Sequence, residues 1–86
     1  MTARRIAVDD ELTIVTAADH RERLIAALAD GNGVRLDLSG VGDIDTAGLQ
    51  LLLLARNEGE RLGVPVELVD PSPAVASALA LTRLEL

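Results

Sequence analysis

The chain has 86 residues and a formal net charge of −6 at pH 7, and 49% of its residues are hydrophobic although Phe, Trp and Tyr are absent. This length allows one small domain with an aliphatic core, and we expect residues 1–86 to form it. The negative charge and the lack of aromatic rings argue against nucleic-acid binding, which needs basic side chains for phosphates and rings for base stacking. Because Cys is absent, disulfides, thiol nucleophiles and thiolate metal sites are excluded.

Two short strands are predicted at the start of the chain, followed by a helix. Arg5–Val8 and Glu11–Val15 carry β-branched residues on either side of the acidic turn signal Asp9-Asp10, and this arrangement predicts a hairpin. The pattern becomes helical at Thr16, a candidate N-cap residue, and the helix should stop at Gly31-Asn32-Gly33. Between these points, apolar residues recur at helical spacing: Leu24, Ile25 and Leu28.

The middle of the chain predicts a strand, a long helix and a further strand. Val34–Leu38 alternates apolar and polar residues with a period of two, as expected of a strand that buries one face. The second helix should run from Thr46 to Leu62, because Gly63 is typical of the position after a helix and Pro65 cannot continue one. Val66–Val69 then predicts another strand.

The last part of the chain predicts a third helix. Ser72 is a candidate N-cap, Pro73 suits the first helical position, and the helix should end near Leu81. Leu84-Glu85-Leu86 could form a final short strand. This order of elements predicts an α/β fold, with a mixed sheet of four to five strands and helices packed on it.

The segment most informative about function joins the third strand to the second helix. A loop there carries the carboxylates Asp43 and Asp45, and Thr46 follows in the first helical turn. Free backbone N–H groups and the positive end of the helix dipole favour negative charge at such a turn, so a phosphate on Thr46 should be accommodated. The simpler interpretation is that Asp45 is an N-cap and Thr46 an ordinary first-turn residue.

The second helix has two faces that differ in function. At about 100° per residue, its core-facing side should contain Leu51, Leu52, Ala55, Gly59 and Leu62. The opposite stripe carries Thr46 with Leu49, Gln50 and Leu53. Leucines exposed beside a hydroxyl are unfavourable unless something covers them. We therefore predict that a partner binds the surface formed by Asp45, Thr46, Leu49, Gln50 and Leu53.

The segment from Leu36 to Leu54, which contains Asp45-Thr46-Ala47-Gly48-Leu49, resembles the STAS domains of anti-sigma-factor antagonists, sulphate-transporter tails and bacterial regulators. The resemblance extends to Glu11-Leu12-Thr13-Ile14 and to Pro71-Ser72-Pro73-Ala74-Val75, so it covers nearly the whole chain. It places the family's phosphorylated residue on Thr46 and the neighbouring acidic position on Asp45. In the family's antagonists, the unphosphorylated form binds a kinase that is also an anti-sigma factor, and phosphorylation ends the binding. The resemblance therefore implies a switch at Thr46.

Two departures from the antagonist pattern leave alternatives open. Ala47 stands where many antagonists have a second hydroxyl, and Thr82-Arg83-Leu84 replaces the usual Ser-Gly-Leu after the third helix. The Asp-Thr-Ala-Gly-Leu form is also similar to the STAS subunit of the lipid-asymmetry ABC transporter, which binds the transporter ATPase, and to chemotaxis-associated STAS proteins. The resemblance thus implies an anti-sigma factor antagonist, a phospholipid-transporter subunit in which Thr46 is a fixed contact, or a chemotaxis protein.

Other candidate sites are weaker. His20 is the only histidine, and without a nucleophile elbow a solvated helix position is a better interpretation than a catalytic triad. Asp37, Asp43 and Asp45 could be read as a metal or phosphoryl-acceptor cluster, but a receiver domain would also need a Lys, and the chain has none. We therefore expect no enzymatic activity, cofactor or metal. No apolar run approaches the roughly 18 residues of a membrane span, so we expect a soluble cytoplasmic protein, which a homodimer or a complex would further stabilise.

Overall fold

A computed structural model describes residues 3–82, and within this range the chain forms five strands and three helices. In chain order they are β1 (Arg4–Ala7), β2 (Asp10–Leu12), α1 (Ala17–Leu28), β3 (Val34–Asp37), β4 (Val41–Ile44), α2 (Thr46–Leu62), β5 (Val66–Val69) and α3 (Pro73–Thr82). The predicted α/β class is confirmed. The strand predicted at Leu84-Glu85-Leu86 lies outside the described residues.

The strands form two parallel sheets, one with the order β1-β3-β5 and one with the order β2-β4. In the larger sheet, Leu36 of the central strand lies between Ile6 and Leu68. The smaller sheet pairs Leu12 with Ile44. The core is aliphatic, as the composition requires, and its largest fully buried side chains are Leu12, Val34, Leu36, Leu38, Val41, Leu52 and Val75.

The hairpin predicted for the first two strands is wrong, because β1 pairs with β3 and β2 pairs with β4. The segment Asp9-Asp10 bends the chain without reversing it. Asp10 adopts a positive φ of 64°, and its N–H donates to the Gly40 carbonyl at 2.9 Å. The β1–β2 and β3–β4 segments therefore run side by side and bend together. An acidic pair between two strands indicates a turn, but it does not determine which strands pair.

Strand β4 lies in the segment that the sequence indicated as a loop. Val41 is buried and Ile44 is half-buried, whereas Gly42 and Asp43 are exposed. These four residues do not show the strict alternation by which a strand is recognised. The strand is formed by tertiary pairing with β2, and it leads the chain directly into Asp45 and α2.

Helix α2 begins and ends where the sequence predicted. Asp45 is its N-cap, and Gly63 ends it in the left-handed region with a φ of 72°. Gly48 lies on the buried side of the first turn, where an added Cβ would collide with the carbonyl oxygen of Leu12. The missing side chain therefore allows α2 to lie close to β2 at the point where the candidate site begins.

The other two helices are capped differently from each other. Ser72 caps α3 as predicted, because its Oγ accepts the Val75 N–H at 3.2 Å. Thr16 precedes α1, but its side chain makes no capping bond; its hydroxyl instead donates to the Glu11 carbonyl at 3.0 Å. Of the three apolar residues that predicted α1, Leu24 and Leu28 are buried and Ile25 is 50% exposed.

Candidate functional site

Asp45 connects the start of α2 to the loop between β2 and α1. Its Oδ1 accepts a hydrogen bond from the Gly48 N–H at 3.0 Å, and its Oδ2 accepts one from the Ile14 N–H at 3.0 Å. The bond from the Ile14 amide and the bond from the Gly48 amide lower the pKa of the Asp45 carboxyl, because they stabilise its charged form. Asp45 is therefore the N-cap that the simpler interpretation predicted, and it also holds a second loop.

Thr46 is the first residue of α2, and it is exposed. Its hydroxyl can therefore be reached by a kinase or by a partner surface. The start of α2 offers a phosphate fewer free backbone N–H groups than the sequence suggested, because the Asp45 carboxylate already accepts the Gly48 N–H there. A phosphate on Thr46 would enter a turn that holds a neighbouring carboxylate.

The predicted outer stripe of α2 is only partly present. Gln50 is exposed and Leu53 is half-buried, but Leu49 is only 7% exposed, so its assignment to an exposed stripe is wrong. A helical projection assumes one covered face, whereas α2 contacts strands β2, β4 and β5 as well as α1. The opposite error occurs at Leu62, which was expected in the core and is 47% exposed in the last turn.

Ile14 and Val15 add an apolar component that sequence analysis placed elsewhere. These two residues are 75% and 79% exposed, and they lie in the loop that Asp45 holds. The sequence interpretation assigned both to a strand, but β2 ends at Leu12. A strand with one buried face would hide one of two successive residues. The pair of adjacent β-branched residues just before the helix start was therefore the sequence signal that could have indicated an exposed loop. The loop that Asp45 binds through the Ile14 amide therefore presents two exposed aliphatic residues.

A network of polar groups shapes the base of this loop. The buried Thr13 hydroxyl donates to Glu11 Oε1 at 2.6 Å and accepts the Val15 N–H at 3.3 Å. Thr16 Oγ1 accepts the Thr13 N–H at 3.2 Å, and His20 Nε2 lies 2.9 Å from the Glu11 carbonyl oxygen. His20 is thus a half-buried structural contact and not the solvated residue that the sequence suggested. These bonds order the loop that presents Ile14 and Val15.

The three aspartates that could have formed a metal or phosphoryl-acceptor cluster have separate roles. Asp37 Oδ1 accepts the hydroxyl and the N–H of Ser39 at 2.7 and 3.0 Å, and its Oδ2 lies 2.7 Å from the Arg5 guanidinium. The bonds from Ser39, followed by the bond from Arg5, lower the pKa of Asp37 to about 2. Asp43 is exposed, and Asp45 binds backbone amides. Residues 3–82 contain no group of three or more His, Asp or Glu side chains placed to hold a metal ion.

Comparison with protein families identifies the chain. The family model of the STAS domain matches residues 3–86. The chain belongs to the STAS domain family. No curated protein matches its sequence. Asp45, which the STAS resemblance singled out together with Thr46, accepts the Ile14 N–H of the exposed Ile14–Val15 pair.

Solved structures with similar folds include regulators and a transporter. A provisionally assigned anti-sigma factor antagonist from Thermotoga maritima is 26% identical with a TM-score of 0.77, over 92% of this chain and 71% of that chain. The unphosphorylated anti-sigma factor antagonist SpoIIAA has a TM-score of 0.71 over 94% of this chain and 78% of that chain, and at 21% identity it shows the shared fold alone. The murine anion transporter Solute Carrier 26 family member A9 is 25% identical with a TM-score of 0.76 over 90% of this chain.

Some matching proteins are much longer than this STAS domain, which spans 13% of the murine transporter chain and 17% of the protein Mglu. None of the helices in residues 3–82 has the length and apolar character needed to cross a membrane.

Proposed function

We propose that this STAS domain is a non-catalytic, cytoplasmic regulatory module that acts as an anti-sigma factor antagonist, with Thr46 as its phosphoacceptor. One observation carries the proposal: an exposed threonine at a helix start is joined, through Asp45, to a loop with two exposed aliphatic side chains. The Thr46 hydroxyl and the apolar loop residues together form a surface to which a partner can bind, and a phosphate on Thr46 can oppose that binding.

The binding surface consists of exposed and half-buried residues from two segments. Four of the predicted residues remain in it, and the loop adds two: Asp45, Thr46, Gln50 and Leu53, with Ile14 and Val15. Leu49 is buried beneath this surface, so it supports the surface residues and does not contact the partner directly. The apolar members supply the contact area, and Thr46 supplies the chemical control.

The proposed partner is a kinase-type anti-sigma factor that binds the unphosphorylated domain. While it is bound, its sigma factor is free to act. The partner transfers the γ-phosphoryl group of ATP to Thr46 Oγ1, the hydroxyl proton is lost, and ADP leaves. The phosphate adds a charge of about −1.5 to −2 beside aliphatic side chains and the Asp45 carboxylate, so its desolvation and repulsion oppose docking. The similarity to the provisionally assigned anti-sigma factor antagonist of Thermotoga maritima supports this role.

One observation favours a second candidate function. The Asp45 carboxylate already occupies the start of α2, which makes the turn less favourable for a phosphate than an uncapped helix start would be. An accessory subunit of a phospholipid-transport ABC transporter would use the same surface to bind its ATPase, with Thr46 as an unmodified contact. The two candidates differ in whether Thr46 is phosphorylated.

Phosphorylation by a defined partner separates these candidates. The domain is incubated with ATP and the histidine-kinase-fold anti-sigma factors of its own genome, and its intact mass is measured. We expect one added phosphate in the natural chain and in Thr82→Ala, a control at another exposed threonine, but none in Thr46→Ala. If no kinase adds phosphate and a transporter ATPase binds the unmodified chain, the antagonist role is wrong.

Two adjacent leucines provide a matched test of the binding surface. Leu53 is half-buried on the proposed face, whereas Leu54 is 44% exposed and lines a groove against Ile25 of α1. We expect Leu53→Asp to weaken partner binding by roughly tenfold or more, about 1.4 kcal/mol, because the charge must be desolvated in the interface. Leu54→Asp should leave the affinity unchanged in the same titration calorimetry experiment. Equal effects of the two substitutions would contradict the assigned face.

A further inference from the structure

We propose that Asp45 is a positioning residue that holds the Ile14–Val15 pair beside Thr46, and that a phosphate on Thr46 breaks this connection and loosens the apolar part of the surface. This inference rests on the proposed function and specifies how the modification would be transmitted. The phosphate would therefore act in two ways, by adding charge at Thr46 and by releasing Ile14, which lies 31 residues before Asp45 in the chain.

The geometry leaves Asp45 little freedom to change one bond without the other. Each of its two carboxylate oxygens accepts one backbone N–H at 3.0 Å, from Gly48 on one side and Ile14 on the other. Gly48 cannot shift toward β2, because it already lies against the Leu12 carbonyl. If the Gly48 bond is lost and the Asp45 carboxylate rotates, the Ile14 N–H therefore loses its acceptor.

A phosphate on Thr46 would compete directly with this carboxylate. Both anions would lie in the first turn of α2, where backbone N–H groups are the local donors. The phosphate carries more charge and more acceptor oxygens than the carboxylate of Asp45, and the two repel each other. The phosphate therefore takes the Gly48 N–H, Asp45 turns away, and the Ile14 N–H loses its charged acceptor.

The expected change is confined to the tip of the loop. Below it, the bonds that join Thr13, Glu11 and Thr16 do not involve Asp45, so they remain. Ile14 and Val15 are largely exposed and contribute little to the core. The Val15 N–H also keeps its bond to the Thr13 hydroxyl. Release of the Ile14 amide should consequently loosen the apolar patch at Ile14 without unfolding the domain.

The test measures the two amides that Asp45 binds. The 86-residue chain is short enough for chemical ligation, so that phosphothreonine can be placed at Thr46 with isotope labels on the amides of Ile14 and Gly48. We expect hydrogen exchange at Ile14 to accelerate roughly tenfold or more on phosphorylation, because a hydrogen bond to a charged group is lost. Exchange at Gly48 should stay slow, because the phosphate replaces the carboxylate as its acceptor.

Asp45→Asn tests the positioning role without any phosphate. Asn is a good N-cap, so its side-chain oxygen should retain the Gly48 bond, while its NH₂ group faces the Ile14 N–H, donor against donor. Hydrogen exchange at the Ile14 amide should accelerate, while the midpoint of urea unfolding changes little. A residue that served only as a helix cap would not produce this combination. Asp43→Asn, at an exposed carboxylate two residues earlier, should change neither amide.

The outcomes distinguish this inference from the function on which it rests. Unchanged exchange at Ile14 in both the phosphorylated chain and Asp45→Asn would overturn the positioning role, even if phosphorylation releases the partner. Accelerated exchange at Ile14 in both chains would support it, even if no kinase-type partner phosphorylates Thr46 and the antagonist role fails.

Discussion

At the scale of single residues, Asp45 and Gly48 both bring the start of α2 against backbone groups of another segment, the Ile14 amide and the Leu12 carbonyl. Asp45 uses its two oxygens for two amides, and Gly48 allows α2 to approach the Leu12 carbonyl. The sequence indicated Asp45 as a cap because Asp is a typical residue there. It could not indicate the Ile14 bond, because nothing in the local pattern shows which loop folds over a helix start.

Gly48→Ala tests the close approach at this turn. Helix propensity alone would predict a gain of about 1 kcal/mol, because Ala is a better helix former than Gly. We expect the opposite sign, a loss of about 1 to 3 kcal/mol in the free energy of unfolding, because the added Cβ must displace backbone. Urea unfolding measures the difference. Gly42→Ala, where an added Cβ comes no closer than 3.7 Å to a neighbouring atom, serves as the control and should change stability much less.

At the scale of elements, local sequence predicted the helices better than the strand pairing. Both ends of α2 and the start of α3 were predicted, because caps, Gly and Pro act within a few residues. The β1–β2 hairpin was wrong, and β4 was predicted as a loop. The strand with which each of these strands pairs is about 30 residues away in the sequence. The bent β1–β2 segment pairs in parallel with the β3–β4 segment, which bends at the same place.

Ser72→Ala tests the cap at the start of α3. Its Oγ is the acceptor for the Val75 N–H, and both residues are buried. We expect a loss of about 1 kcal/mol in the free energy of unfolding, typical of a lost N-cap. Thermal or urea unfolding of Ser77→Ala provides the comparison, because Ser77 is exposed within the same helix. That control should be neutral or slightly stabilising, since Ala favours the helix interior. Equal destabilisation of the two variants would contradict the capping role.

The whole molecule has a net charge of −6, and one of its acidic groups stabilises the larger sheet. Asp37 at the end of β3 contacts Arg5 of β1, and the same guanidinium lies 3.7 Å from Asp70 in the turn after β5. This contact therefore joins three neighbouring strand segments at one edge. The carboxylate is stabilised in the folded chain, so the stability of the whole domain should depend on its ionisation.

Asp37→Asn tests this dependence through pH. The pKa of Asp37 is about 2 in the folded protein against an ordinary value of 3.8. Its contribution is therefore complete above pH 4 and disappears as the pH falls from about 4 toward 2. We expect Asp37→Asn to be less stable than the natural chain at neutral pH, with the difference shrinking over that acidic range. Urea midpoints across the pH series provide the measurement, and Asp43→Asn controls for the change in net charge. A difference between the natural chain and Asp37→Asn that does not vary with pH would contradict this account.

The sequence by itself determined the α/β class, the bounds of α2, the aliphatic core and the place of Thr46 at a helix start. These features depend on periodicity, caps and composition, which act over short distances along the chain. Only the tertiary structure decided which strands pair, that Leu49 is buried, and that Ile14 and Val15 lie exposed beside the candidate site. Such features depend on contacts between segments about 30 residues apart. The bond between Asp45 and Ile14 is the clearest case, because it joins two segments that the sequence predicted separately.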